Sequence, residues 1–536
     1  MQGISQENTA RIKKLNEPES IWQKLTNSAK EKTRLLEEIG NSGELSAIPG
    51  ILEFVLVNDR KVAVAAAQAV ILLLAEVSQE DLVWLDGQMR IRYIVTYGKW
   101  GGLEPAQLRV IQGLHTASAP LLGVASFHAN GYIREKAIDL LAEMHNGDEL
   151  SYLLIRANDW VPQVRAKAQY AIKMRIVSDY VGYFVRNIHL VERLSRSSSA
   201  GTDELTDMIF RLMMEPAARE LLHAGFTSLD KYVRRMSYRL ALIAPEEDVL
   251  LVLNMALHNH DSFIRSWGAK EAANILEEDE LKGILPVILR DTYMPVRRTA
   301  LMIIVEHFPE DAHDALIAAL LDINATIREL ARYHLRRIAP MDFAEFYREA
   351  LNGKAGKELL GVICSVGETG IAADAERLLP FALQGVPRQR KVAIDAIARL
   401  AGDDYIQLFI DALVGSQVVL SNAGRVALKS RVHLVDTAML TVLLRTSPYW
   451  HVRKNALLLL ISSGKWSSLL HIIYALGDGD EHVDSLAKRA FQRWMWVSNR
   501  YFVAPTAEQQ VQIRAALDAD KITDIVRQDI LFMLDH

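Results

Sequence analysis

A short phrase recurs along this chain at intervals of 31 or 32 residues from Arg234 to Asp484. Each copy is an apolar residue, usually followed by Arg, then two variable residues and a small residue. A fixed period of this length is typical of stacked-repeat architectures. The clearest copies are Val233-Arg234 with Ser237, Ile264-Arg265 with Gly268, Val296-Arg297 with Ala300, Ile327-Arg328 with Ala331, and Val452-Arg453 with Ala456.

Each period has the pattern of two helices joined by a short polar turn. An apolar-periodic stretch such as 281–289 follows acidic residues, which favour the first turn of a helix. The phrase itself begins a second helix, with Pro295 near one such start. Val296, Ala300 and Ile304 then fall on one face of that helix. We therefore predict an all-α chain, an α-solenoid of stacked antiparallel helical pairs whose repeats contact only their neighbours.

Five of the arginines follow an aspartate by four to six residues. We expect each Asp to cap the second helix and to pair with the Arg of its own or the next repeat, which would form a ladder along the stack. Ligand binding by these arginines is the alternative. The pairs are Asp159 with Arg165, Asp230 with Arg234, Asp261 with Arg265, Asp291 with Arg297, and Asp322 with Arg328.

The phrase, its turn aspartate and the period resemble HEAT repeats of the short bacterial type. Upstream copies at Ile133-Arg134 and Val164-Arg165 extend the resemblance over most of the chain. It implies helical pairs with the second helices on the inner curve. It says little about function, because HEAT-like proteins include scaffolds, transport adaptors, nucleic-acid binders and a few enzymes.

The period breaks between Arg165 and Arg234, which lie 69 residues apart where two repeats would take 62. The excess falls near a serine-rich stretch, and such stretches form flexible loops. We therefore predict a loop or hinge at 195–202 between two solenoid arms. The predicted divisions are an N-terminal helical cap at 1–40, arms at 41–194 and 203–500, and a C-terminal helical cap at 501–536.

Composition limits the environment and the chemistry of the protein. The net charge is −5, so no global basic field indicates nucleic acid. The single cysteine, Cys364, fits a reducing compartment and a buried apolar role, and we expect a cytoplasmic protein. The longest apolar run, 62–77, is interrupted by polar residues and is too short for a membrane span. The N-terminal residues lack the pattern of a signal peptide.

Catalytic and metal-binding motifs are not apparent in the sequence. It contains no His-Glu-x-x-His, Gly-x-Ser-x-Gly, Walker or Cys-x-x-Cys pattern. His258, His260 and Asp261 are too few for a convincing metal site. We therefore expect no catalytic residue, no metal and no cofactor.

A basic stripe is predicted on the exposed face of the central second helices. We expect it to recognise an acidic segment of a partner protein, so the chain would act as a non-enzymatic interaction scaffold or adaptor. The alternative is a DNA- or RNA-binding protein, similar to HEAT-like DNA glycosylases, since basic stripes also neutralise phosphates and tyrosines stack on bases. The predicted partner-binding residues are Arg235, Arg239, Lys270 and Arg298, with Tyr170 and Tyr333 at the edges.

Overall fold

The computed structural model describes residues 4–17, 28–75, 77–91, 98–115, 118–245, 247–498, 503–517 and 524–535. Throughout these ranges the chain is helical, with no β-strand. It divides into two compact units, 1–280 and 281–536, and the boundary lies within the helix Glu278–Leu289.

The first unit begins with irregular, partly short helices and becomes regular near residue 119. Turns of 3-10 helix lie at Leu45–Ala47, Leu52–Leu56, Ser178–Tyr180 and Pro216–Ala218. The α-helices of this unit are Gln6–Leu15, Ser28–Gly40, Ile48–Ile51, Arg60–Leu74, Gln79–Ile91, Gly98–Gly101, Gln107–Gln112, Ala119–Ala125, Gly131–Ala142, Leu150–Arg156, Pro162–Lys173, Val181–Arg186, Ile188–Ser195, Thr202–Met213, Arg219–Gly225, Lys231–Ile243, Val249–Leu257 and Ser262–Ile275.

The second unit is more regular, with 3-10 turns at Gly402–Tyr405 and Lys429–Leu434. After Glu278–Leu289 its α-helices are Met294–His307, Pro309–Ala319, Ala325–Ile338, Phe343–Ala350, Gly356–Thr369, Asp374–Gln384, Pro387–Ala401, Ile406–Val414, Val418–Leu428, Thr437–Thr446, Trp450–Leu460, Lys465–Ala475, Glu481–Ser498, Ala507–Leu517 and Asp524–Asp535.

Polar caps and prolines determine where many of these helices begin. The side chains of Asp230 and Asp261 accept backbone N–H bonds two residues ahead, at 2.7 Å and 2.9 Å, and so cap their helices. Pro162 and Pro295 lie in the first turn of theirs, where a missing N–H costs nothing. The periodic signals in the sequence therefore correspond to real helix starts.

Within each unit the second helices of successive repeats pack on one another. In the second unit Gly356–Thr369 packs on Pro387–Ala401, which packs on Val418–Leu428, and the stack continues through Trp450–Leu460 to Glu481–Ser498. Residues at the small positions of the repeat phrase, such as Ala393 and Ala456, are fully buried between these layers. The resemblance to HEAT repeats and the predicted all-α solenoid class are confirmed by this packing.

The stretch 195–202 lies inside the first unit and is held by side chains of its neighbours. Asn158 accepts hydrogen bonds from Ser197 and Ser199 at 2.6 Å and 2.5 Å. Gln169 donates to the carbonyl oxygen of Ala200 at 3.0 Å. The boundary between the two compact units is at 280/281, within the predicted 203–500 arm and not at this stretch. The mobility of 195–202 stays a prediction.

Two tryptophans pack between the helices Lys465–Ala475 and Glu481–Ser498 of the second unit. Trp466 and Trp494 meet edge to face at 5.6 Å between ring centroids, and the Trp494 indole donates to the carbonyl oxygen of Lys465 at 2.8 Å. Trp496 instead is 70% exposed. Tyr501 and Phe502, the first residues of the predicted C-terminal cap at 501–536, lie outside the described residues. No helix in the described ranges is long and apolar enough to cross a membrane.

Candidate functional site

Several arginines of the repeat phrase bridge two neighbouring layers. Nη1 of Arg297 donates to the backbone carbonyl of Asp291, six residues earlier, at 2.8 Å. Its Nε and Nη2 bind the carboxylate of Asp322 in the next repeat at 2.7 Å and 2.9 Å. Arg453 repeats the arrangement with the carbonyl of Ser447 and the carboxylate of Asp478.

We call such an ion pair between the arginine of one repeat and the carboxylate of the next a rung of the ladder. The first unit contains a rung in a more buried form. Arg134 binds Asp159 through two hydrogen bonds of 2.9 Å, and both side chains are fully buried. Burial alone would raise the pKa of Asp159, but hydrogen bonds from Arg134 and the Val161 amide, with the charge of Arg156, hold it below its ordinary value. The pair therefore stays ionised inside the stack.

The rungs differ from the predicted pairing in their direction. Asp159 and Asp322 reach the arginine of the preceding repeat, whereas the expected partner belonged to their own or the next one. The reason is that the carbonyl of the arginine's own turn occupies one edge of the guanidinium and leaves the other edge facing the next layer. Asp291 likewise offers Arg297 its carbonyl oxygen, while its carboxylate accepts the Tyr293 amide at 2.6 Å.

Other members of the predicted ladder have different sets of partners. Arg234 shares Asp261 with Arg235, at 3.2 Å and 3.0 Å. Arg265 donates to the carbonyl oxygens of Asn259 and His260. Arg328 donates to the carbonyl of Asp322 but forms its ion pair with Glu368, which also binds Arg332.

The ladder is interrupted where the period breaks. Arg165 donates to the carbonyl oxygen of Asp159 at 2.8 Å, and no described carboxylate pairs with it. The Asp230 side chain accepts the Tyr232 amide and makes no ion pair within the described chain. Four α-helices lie between these two turns: Val181–Arg186, Ile188–Ser195, Thr202–Met213 and Arg219–Gly225.

The predicted basic stripe is only partly available for a partner. Arg235 is bound to Asp261 and lies over the Phe263 ring at 4.1 Å. Lys270 and Arg298 are exposed and make no hydrogen bond or ion pair with the rest of the described chain, but they belong to different units. Tyr170 and Tyr333, 67% and 51% exposed, are likewise on separate units. These six residues therefore do not make one surface within a unit.

Arg239 lies in a cleft of about 550 Å³ in the first unit. Two walls are the helices Ile188–Ser195 and Lys231–Ile243, and the third is Thr202–Met213. The apolar lining consists of Phe210, Met214, Met236, Leu240 and Ile243, and the polar rim of Glu192, Ser195, Arg196, Asp207, Arg211 and Arg239.

The rim of this cleft has more cations than anions, with three arginines and two carboxylates. Glu192 binds Arg196 at 2.6 Å and lies 3.7 Å from Arg239, so one carboxylate is shared by two guanidiniums. Arg211 is exposed and makes no ion pair with any described residue. Ile243 is 66% exposed, and the two methionines are partly exposed. The cleft thus combines unbound positive charge with an accessible, adaptable apolar floor.

Sequence reasoning identified Arg239 but missed the rest of the cleft. Met236, Leu240 and Ile243 share the helix of Arg239, and the remaining residues lie in the irregular interval, where the repeat phrase gives no register. The cluster of Met214, Met236 and Ile243 has no periodic signature of its own. Its only signal in the sequence is the seven-residue excess, which falls in the interval that contains the helices Ile188–Ser195 and Thr202–Met213.

Chemically reactive candidates elsewhere have structural partners. His258 contacts the carbonyl oxygen of Asn254 at 2.9 Å, and Asp261 is engaged by two arginines. In the ranges that the structure describes, no three His, Cys, Asp or Glu side chains converge as metal ligands. Burial raises the pKa of the Cys364 thiol, which lowers the fraction present as reactive thiolate.

Comparisons with known proteins give weak similarities. No family model and no curated protein matches the chain. Solved structures that match include Kap95 in its complex with Nup1, at 12% identity and a TM-score of 0.37 over 98% of this chain and 81% of that chain. Importin beta matches at 13% identity and 0.28, over 98% and 80%. Kap121p bound to Pho4p matches at 11% and 0.26, over 99% and 71%.

Proposed function

We propose that this chain is a protein-binding solenoid that holds a short acidic segment of a partner in the Arg239 cleft. The observation that supports this proposal is the combination of an open apolar floor with a rim of three arginines and two carboxylates. Tight recognition of a short segment usually needs an apolar anchor in a pocket and polar groups that fix its orientation. The cleft supplies both.

The ligand should carry at least one carboxylate beside an apolar side chain. Arg211 is the natural contact for the carboxylate, because it has no ion pair among the described residues and its guanidinium can donate two parallel hydrogen bonds. Arg239 would contribute after a small shift, since Glu192 lies 3.7 Å away and is also held by Arg196. The methionines can adapt to several apolar side chains.

Nucleic acid is the less favoured ligand for this surface. Three cations beside two carboxylates can neutralise few phosphates, and affinity for a polyanion depends on the number neutralised. The apolar side chains of the floor cannot form hydrogen bonds or ion pairs with a phosphate backbone. An acidic peptide with an apolar anchor satisfies both halves of the cleft.

Binding can be tested with a library of short fluorescent peptides that vary in acidic content and in one apolar anchor. We expect the best-binding peptides to combine both features. Their affinity for the double variant Arg211→Glu/Arg239→Glu should be much lower than for the unmodified chain. Arg193→Glu is the matched control, because Arg193 is exposed on the same helix as Glu192 but does not line the cleft. Equal loss in the control, or no preference for acidic peptides, would contradict the proposal.

A further inference from the structure

Two consecutive residues at the start of the helix Gln79–Ile91 contact parts of the first unit far along the chain. The Gln79 side chain accepts the backbone N–H of Leu190 at 3.1 Å and donates to the carbonyl oxygen of Arg186. Glu80 accepts a hydrogen bond from the hydroxyl of Tyr232. These partners are 107 to 152 residues away in sequence.

Such contacts are unexpected in a stack of repeats, where each repeat touches only its neighbours. They also lie at a helix start. The helix Ile188–Ser195 follows Asn187, whose side chain provides no cap for it. The Leu190 N–H donates to the Asn187 carbonyl oxygen at 2.9 Å. Gln79 adds a side-chain acceptor for the same N–H and so ties this helix start to a distant segment.

Glu80 holds the second wall of the cleft at the corresponding end. Tyr232 is the second residue of the helix Lys231–Ile243, and its ring lies 4.0 Å from that of His189, near the start of the other wall. Residues 79 and 80 therefore join the N-terminal ends of the two helices. The cleft lies toward their C-terminal ends, at Glu192, Arg196, Arg239 and Ile243.

We propose that Gln79 and Glu80 form a clamp that fixes the spacing of the two helices and thereby controls the order and opening of the Arg239 cleft. All three hydrogen bonds are at or near the surface. Surface polar contacts contribute little to global stability, so the clamp can open without unfolding the unit. Its effect on ligand binding rests on the function proposed for the cleft, whereas its effect on helix order does not.

Hydrogen exchange of the full chain tests the clamp without any ligand. In Gln79→Ala/Glu80→Ala we expect amide exchange to rise about five-fold over 188–195, as for the loss of a helix cap, and to rise also over 236–243 at the far end of the cleft. Gln88→Ala, later in the same helix, is the matched control and should leave both segments unchanged. The shorter Gln79→Asn should reproduce the effect over 188–195.

Two results would overturn the clamp: no change in exchange, or a change confined to 188–191 that does not reach the cleft. Titration of the best acidic peptide from the library then separates the two proposals. A clamp variant with altered exchange and a several-fold altered peptide affinity supports the coupling. Altered exchange with unchanged affinity refutes control of binding, while the cleft itself stands. Absence of peptide binding to the unmodified chain refutes the cleft function and leaves the exchange result to decide the clamp.

Discussion

A ladder arginine divides its guanidinium between two layers, so its loss affects both. Arg297 connects the carbonyl of Asp291 with the carboxylate of Asp322, and its side chain is only 13% exposed. The sequence indicated a structural role for this arginine and for the turn aspartates. It could not show which carboxylate each arginine binds, because the partner lies 25 residues ahead and the choice depends on how the layers are stacked.

Replacing Arg297 by Ala should lower the free energy of unfolding by about 1–3 kcal/mol, because the Asp322 carboxylate loses its hydrogen-bonded cation in a partly buried site. Arg298→Ala is the adjacent control, since Arg298 is exposed and makes no hydrogen bond or ion pair with the described residues; its effect should stay within about 0.5 kcal/mol. Thermal melting of the two variants checks this. Equal melting temperatures would show that the rung is not stabilising.

His128 provides a pH-dependent contribution to stability. Its Nε2 faces the carbonyl oxygen of Trp100 at 3.1 Å, and its Nδ1 accepts the amide of Asn130 at 3.0 Å. Because a carbonyl oxygen can only accept a hydrogen bond, Nε2 carries the ring proton and Nδ1 is unprotonated. Burial, foremost, and the charge of Arg134 lower the pKa of His128. Folding therefore favours the neutral ring.

The unfolded chain then binds a proton at His128 more readily than the folded chain, so stability should fall as pH drops through about 6.5, the ordinary histidine pKa. His189 and His471 have pKa values lowered mainly by burial and act in the same direction. Melting of wild type and His128→Gln should be measured between about pH 7 and about pH 5. The melting temperature of the variant should depend less steeply on pH than that of the wild type. Identical pH profiles would exclude a role for His128.

At the scale of elements, the stretch 195–202 is anchored by the carboxamides of Asn158 and Gln169. Asn158 accepts from both Ser197 and Ser199 and so ties this segment to the preceding turn. Low complexity in the sequence indicated a break, but it could not reveal an anchor that comes from a different repeat. Whether the segment moves more than its surroundings depends on how strongly this anchor holds.

Asn158→Ala should speed limited proteolysis within 195–202 relative to wild type, because both serine hydroxyls lose their acceptor. Asn158→Asp keeps an oxygen in the same place and should cleave at close to the wild-type rate. Cleavage sites are read by mass spectrometry of the fragments. If the Ala and Asp variants are cut equally fast, the hydrogen bonds do not restrain the segment.

Close packing between helices depends on a few glycines. A Cβ at Gly424, within Val418–Leu428, would lie 2.4 Å from the carbonyl oxygen of Phe409 and 2.6 Å from the amide nitrogen of Leu413. Both atoms belong to the backbone and cannot move aside cheaply. The repeat phrase predicts small residues at the contact, but the missing methyl at this position is visible only in the packed helices.

Gly424→Ala should therefore destabilise the chain by about 1–3 kcal/mol through overpacking. Gly283→Ala should change stability in the opposite direction, because a Cβ there meets nothing within 4 Å and the residue lies in a helix. Removing glycine from an open helical site should stabilise by roughly 0.5–1 kcal/mol. Chemical denaturation of both variants measures these changes. A stabilised Gly424→Ala protein would mean that the two helices are farther apart than described.

For the whole molecule, the period in the sequence was sufficient to predict the helical repeats and their stacking in each unit. The division at 280/281 was not predicted, because the phrase continues through it without a change, as Arg265 and Arg297 show. The cleft and the clamp were also missed. The cleft joins three helices between 188 and 243, and the clamp joins Gln79 to Leu190, 111 residues away, so both depend on how distant segments pack.

Net charge provides a test of function at this scale. The chain carries −5, and the cleft rim has one excess cation, so DNA and RNA should bind weakly at about 150 mM salt. Gel-shift titrations with single- and double-stranded probes, run beside Arg211→Glu/Arg239→Glu, check this. Tight binding that the variant loses, with a salt slope near −0.9 per duplex phosphate neutralised, would favour the nucleic-acid function instead.

The rungs of the ladder also constrain the number of residues in each repeat. In three of them the arginine and its carboxylate are 25 residues apart, at Arg134, Arg297 and Arg453. Duplication or loss of a whole repeat reproduces this distance at the new junction, so every arginine finds a carboxylate again. A partial insertion would change this distance and leave an arginine without its carboxylate. Gene rearrangements in whole-repeat steps are therefore the changes in length that this architecture tolerates, and lineages should differ by complete helical pairs.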